Sequence, residues 1–95
     1  MGPQGPSGLT NVRVRTRSAL IDPNLSNGVL VPCAAGELAT GGGGHVSGVP
    51  GLNITQSTPY PELSEGETPT GWYVSYHNTT RQAYYINGYV ICVAP

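Results

Sequence analysis

Gly71-Trp72-Tyr73-Val74-Ser75-Tyr76-His77 leads through Asn78-Thr79-Thr80 into Ala83-Tyr84-Tyr85-Ile86-Asn87-Gly88-Tyr89-Val90-Ile91-Cys92-Val93. In the first run Trp72, Val74 and Tyr76 recur at every second position, the period of a half-buried strand. The polar trio at 78–80 has turn chemistry, so the two runs predict a β-hairpin. In the second run Tyr84, Ile86, Val90 and Cys92 share one parity, and Tyr85, Tyr89, Ile91 and Val93 share the other. Both faces of that strand are apolar, which places it at the centre of the core or under another subunit. Tyrosine suits a subunit contact because its ring buries area while its hydroxyl stays wet, so Tyr85 and Tyr89 are interface candidates.

Upstream, Leu52-Asn53-Ile54-Thr55-Gln56-Ser57 alternates as another half-buried strand, entered by the turn Gly48-Val49-Pro50-Gly51. Thr58 to Thr70 is proline-rich and carries Glu62, Glu65 and Glu67, so it reads as an exposed loop with a solvated acidic rim. Those carboxylates lack the Asp/Asn and Gly placement of a calcium loop, and no metal is expected there. The segment Glu37 to Gly48 contains Gly41-Gly42-Gly43-Gly44 and is expected to continue as a strand. It is not a phosphate-binding Walker loop, which needs a lysine that this chain lacks. Glycines inside a strand mark a bulge, a bend, or a place where a large ring lies directly on the main chain.

Nearer the N-terminus, Gly28 to Cys33 is a short β-branched run, and Pro32 puts its end at an edge or a bulge. Asp22-Pro23-Asn24 and Ser26-Asn27-Gly28 both have turn chemistry. Before them, Val12, Val14 and Thr16 alternate with Arg13, Arg15 and Arg17, so an apolar face opposes a guanidinium stripe. The stripe is an interface candidate, directed at an acidic partner surface or at Glu62, Glu65 and Glu67 of a neighbouring copy.

Composition agrees with these short strands. The chain has 95 residues, 14 of them Gly and 9 Pro, with 9% charged and 38% hydrophobic. A chain this short buries about 60% of the surface it exposes when unfolded, so its stability needs a staple or partners. The expected fold is all-β: residues 1–9 as a Gly-Pro-rich arm and 10–95 as one small antiparallel β-sandwich or barrel of about six to eight strands, from the turn spacing. A net charge of −1 gives no overall field for nucleic acid or an anionic membrane. No stretch approaches the roughly 20 apolar residues of a membrane-spanning helix. Met1-Gly2-Pro3-Gln4 opens without the basic and apolar regions of a secretory signal. That leaves a piece of a longer exported protein, or a protein released with a virion at lysis.

Cys33 and Cys92 are too far apart for a CxxC redox site, and two thiols without a nearby His pair make a poor zinc site. A disulfide or two buried thiols remain. A bridge closing so long a loop would stabilise the fold by roughly 4 kcal/mol in the chain-entropy account. Gly2-Pro3-Gln4, Gly5-Pro6-Ser7 and Gly8 keep glycine in period three with proline second, the register of a collagen triple helix or of a polyproline II arm. In the collagen register three chains converge at residue 8, and the globular part inherits a threefold axis.

Cys33-Ala34-Ala35-Gly36, Thr40 with the four glycines, Gly71-Trp72, Asn78-Thr79 and Tyr89-Val90-Ile91-Cys92, in that order after Gly-Pro triplets, resemble a known pattern. It is the small globular β-domain that follows collagen-like repeats in actinobacterial surface proteins and in virion decoration or tail proteins of actinobacterial phages. The resemblance spans residues 30 to 93. It implies a Cys33–Cys92 bridge, an aromatic after Gly71 in the core, and roles in display, adhesion and trimer formation. The chain departs from the pattern in having only two triplets, and Pro32-Cys33-Ala34 where Cys-Pro is common.

Catalytic candidates are thin: His45 and His77 are the only histidines and the sole Asp, Asp22, lies in an Asp-Pro turn. No enzyme, cofactor or metal is expected. The Asn24, Asn53 and Asn78 sequons carry little weight outside a eukaryotic secretory route. The leading expectation is a non-enzymatic virion structural protein, a capsid decoration or fibre module. It forms a homotrimer on the virion surface and contacts a major capsid or tail protein, without nucleic acid or membrane insertion. The alternative is an extracellular or cell-surface adhesion module that stacks Trp72, Tyr73 or Tyr76 on host cell-wall glycans.

Overall fold

The computed structural model describes residues 11–46, 49–61 and 65–94. The expected arm at 1–9 and Glu62 lie outside the described residues. Six strands follow in chain order: β1 (Val12–Ile21), β2 (Ser26–Pro32), β3 (Leu38–His45), β4 (Leu52–Tyr60), β5 (Gly71–Asn78) and β6 (Tyr84–Val93). They form two antiparallel three-stranded sheets, β1-β6-β3 and β2-β5-β4, packed face to face as a sandwich.

The expected hairpin between β5 and β6 does not form. Each strand takes the centre of a different sheet, β5 between β2 and β4 and β6 between β1 and β3. The reason lies in the connection. Asn78 is fully buried, and its Nδ2 donates to the carbonyls of Ile21 (3.2 Å), Asp22 (3.2 Å) and Gln82 (2.8 Å). Its Oδ1 accepts from the Thr80 amide at 2.8 Å and the Thr80 hydroxyl at 2.6 Å. These bonds carry the chain across the sandwich to the opposite layer. The two strands then meet through their inner apolar faces.

The parities read from sequence do set the core. Val74 and Tyr76 of β5, with Val29 and Val31 of β2, pack against Ile86, Val90 and Cys92 of β6. Trp72 and Tyr84 flank them. Two glycines of the run in β3 make room for these rings. A Cβ on Gly42 would stand 2.3 Å from Trp72 Cγ, and one on Gly44 would stand 2.1 Å from Tyr76 Oη. The register also shifts between Ala39 and Gly41, the bulge that the glycines foreshadow.

Two boundaries differ from expectation. Ser26-Asn27-Gly28 belongs to β2 and is not a turn: Asn27 Nδ2 donates to the Leu20 carbonyl at 3.0 Å, and Tyr73 lies over Gly28. The turn is made upstream, with Asn24 at a φ of 59°. Similarly, β4 continues through Thr58 to Tyr60, so the loop begins at Pro61. Thr58 is drawn in because it pairs with Tyr73 of β5.

A disulfide joins Cys33 to Cys92 across a sequence separation of 59. It ties the segment after β2 to the last turn of the ladder in β6, and so links the two sheets covalently. Cys33 is also held by its amide, which donates to the Thr70 carbonyl at 2.8 Å.

Candidate functional site

The outer face of the β6 sheet is assembled by register. Val12 pairs with Val93 and Val14 with Ile91; Thr16 pairs with Tyr89, Ser18 with Asn87 and Leu20 with Tyr85. From β3, Leu38 joins the first row, Gly43 the third and His45 the fourth. Val14 is 64% exposed, Tyr85 71% and Val12 51%, with Leu20 and Leu38 also open. No charged side chain stands in these rows. Each such side chain would gain about 1.5–3 kcal/mol on full burial, so the exposed apolar side chains on either side of the polar row Ser18-Asn87-His45 mark a contact surface. Tyr89 lies across the backbone of Gly43, where a Cβ would stand 2.9 Å from its hydroxyl.

This arrangement turns β1 around. Its valines point out to solvent, and Arg13, Arg15 and Arg17 take the parity of Cys92, Val90 and Gly88, the inner face. That is possible because β1 is an edge strand, and its inner side opens at the rim of the sandwich. Arg15 does not await a neighbour's acid. Its Nε donates to Glu37 Oε1 at 2.8 Å and its Nη2 to Oε2 at 2.7 Å, a bidentate pair. The Ala34 amide adds a third bond to Oε1 at 2.9 Å. The Arg15 guanidinium, with that amide, holds the Glu37 carboxyl down to about 2. Glu37 in turn raises the Arg15 pKa. Glu37 is only 8% exposed, so the pair closes the sandwich rim beside the disulfide. Among the described residues, Arg13 and Arg17 have no ion pair.

Glu37 lies close to both cysteine sulfurs, a grouping that would suit a metal if the thiols were free. In this fold the sulfurs are bonded to each other and both carboxylate oxygens are engaged by Arg15, so the trio offers no open donor set.

Comparison with protein-family models, characterised proteins and solved structures finds no match.

Of the sequence candidates, Tyr85 and Tyr89 share the apolar outer face, and the three arginines line the rim. The aromatic trio is separated. Tyr76 is 0% exposed, with its hydroxyl bonded to the Asn87 carbonyl, and burial raises its pKa. Trp72 faces inward over Gly42 and donates from Nε1 to Ser57 Oγ at 2.8 Å. Tyr76 is therefore not placed to stack on a glycan, which corrects the expectation for it, while Trp72 is half-buried. Tyr73 alone reaches an outer surface, that of the β5 sheet, where its ring lies on Gly28. Sequence reading missed Glu37 as the partner of Arg15, because a lone acid 22 positions away carries no periodic signal. Leu20 and Leu38 were missed as part of the apolar face for a different reason: their place follows from the pairing with β6.

Proposed function

We propose that this chain is a non-enzymatic structural protein that assembles as a homotrimer through the outer face of the β6 sheet. The observation that carries this reading is that face itself: it exposes Val12, Val14, Leu20, Leu38 and Tyr85 around one polar row and holds no Asp, Glu, Lys or Arg that would repel a second copy. Three such faces turned to a common axis form a closed prism in which Tyr85, Tyr89, Val14 and Ile91 become interior. Closed cyclic symmetry satisfies every copy's face and leaves none open. Within this reading the protein is a capsid decoration or fibre module on a virion surface, in contact with a capsid or tail protein. That setting draws on the resemblance of residues 30 to 93 and on the period-three glycines at residues 2–8.

The experiment is the native mass by light scattering of the parent chain, of the double substitution Val14→Asp with Tyr85→Asp, and of Gln56→Asp on the opposite sheet. The expected result is three chain masses for the parent and Gln56→Asp, and one for the double variant. A monomeric parent at every concentration, or a trimer that survives the double substitution, would overturn the proposal.

A further inference from the structure

The open edge of β1 is a second surface, bordering the apolar face. β1 pairs continuously with β6 over ten residues without proline or bulge. Among the described residues its other edge has no partner strand. The Asn11 carbonyl accepts from the Ala94 amide and so points toward β6, while the Leu20 carbonyl is taken by Asn27 of β2 and points away. In an antiparallel ladder that parity alternates strictly, so the amides and carbonyls of Val12, Val14, Thr16 and Ser18 face the open edge. A cleft of about 390 Å³ runs beside them, between Val14–Arg17 and Pro32–Ala34. Arg17 lines it without an ion partner among the described residues, Arg15 lines it already neutralised by Glu37, and Arg13 shares their face of β1.

A long flat edge of this kind is a template for strand addition. A second copy does not fit it through the same strand, because a β1–β1 pair would set arginine against arginine across the ladder, and like charges directly opposite destabilise. The other edges of this chain are poor partners too. β2 ends in Pro32, β4 contains Pro59 and a register shift, and β3 is shifted at Thr40. The charge on the edge selects an acid.

We infer that β1 docks an extended acidic segment of a partner protein as a fourth, antiparallel strand of the β6 sheet. Carboxylates four residues apart meet Arg17 and Arg13, and a small residue between them sits opposite Arg15. The alternate positions lie opposite Thr16 and Val14 on the outer face and are apolar. The recognised pattern is therefore acid, apolar, small, apolar, acid.

The probe is a fluorescein-labelled peptide containing Glu-Val-Ser-Val-Glu, titrated with the full chain and followed by fluorescence anisotropy. A second peptide carries N-methyl groups on both valines, removing the two amides that face Thr16 and Val14. Saturable binding is expected, weakened about tenfold or more by N-methylation, which removes two backbone hydrogen bonds. The double substitution Arg13→Glu with Arg17→Glu should weaken binding at least as much, and Arg81→Glu should leave it unchanged. Circular dichroism melting of both variants checks that the fold is retained, and Arg13→Gln with Arg17→Gln serves if the charge reversal is not folded. No saturable binding, equal binding of the N-methylated peptide, or indifference to the arginine substitutions would each overturn the inference.

Discussion

The two sheets spend their side-chain bulk in opposite directions. The β5 sheet puts its large residues inside, with Trp72, Val74 and Tyr76 flanked by Val29 and Val31. Outside, Leu30 and Tyr73 stand among small hydroxyls paired with their neighbours, Thr55 with Ser75 at 2.8 Å and Ser26 with His77 at 2.9 Å. The β6 sheet does the reverse. Inside it offers Ala19, Ala39, Gly42, Gly44 and Gly88 beside Ile86 and Val90, and outside it carries Val12, Val14, Leu20, Tyr85, Tyr89, Ile91 and Val93. Both sheets also lay an outer tyrosine on a glycine, Tyr73 on Gly28 and Tyr89 on Gly43. A tyrosine on glycine is therefore a feature of both surfaces, and what separates them is the ring's surroundings. A sheet that receives the core's large rings with small residues while exposing its own large ones has apolar surface left for a partner.

The largest effect that sharpens this contrast is on the link between the sheets. Reducing Cys33–Cys92, or replacing both cysteines with alanine, is expected to lower stability by about 3 kcal/mol, read by urea denaturation with and without reductant. An unchanged midpoint would mean that packing alone holds the layers. Next comes Gly44→Ala, which pushes a methyl into Tyr76 Oη and Val74 with the Asn87 carbonyl 3.0 Å away. Overpacking of this kind costs about 2–3 kcal/mol, and the thermal midpoint should fall accordingly.

The rim titrates in a predictable direction. Folding depresses the Glu37 pKa from 4.5 to about 2, so the Arg15 pair stabilises the fold fully above about pH 4.5 and loses that contribution as pH falls toward 2. Melting curves across that window should show a slope that Glu37→Gln flattens. The smallest effect belongs to Gly43→Ala, one residue from Gly44 on the opposite face. There the methyl meets only the far end of the Tyr89 ring, which can swing outward, so the cost should stay under about 1 kcal/mol. Equal losses for the two adjacent glycines would erase the distinction between the inner and outer faces of this sheet.

Much of this architecture was legible in the chain. Alternation is a local property, so the shared faces of Trp72, Val74 and Tyr76, and the doubly apolar character of β6, follow from period two alone. The glycine run reads as a bulge, a bend or a place for rings lying on backbone; the structure shows a register shift there, and Trp72, Tyr76 and Tyr89 lie on Gly42, Gly44 and Gly43. The all-β class follows from turn residues spaced every few positions.

Tertiary structure decided what local pattern leaves open. Parity says which residues of β1 share a face but not which face turns inward, and the edge position of β1 let the arginines take the inner side. The path from β5 to β6 was settled by the buried Asn78 network, which trades a lateral hairpin for a crossing between layers. Glu37 found Arg15 only because the β2–β3 connection passes the open rim of the sandwich. Each of these outcomes depends on contacts distant in sequence, where periodicity carries no information and burial and hydrogen bonding across the fold determine the arrangement.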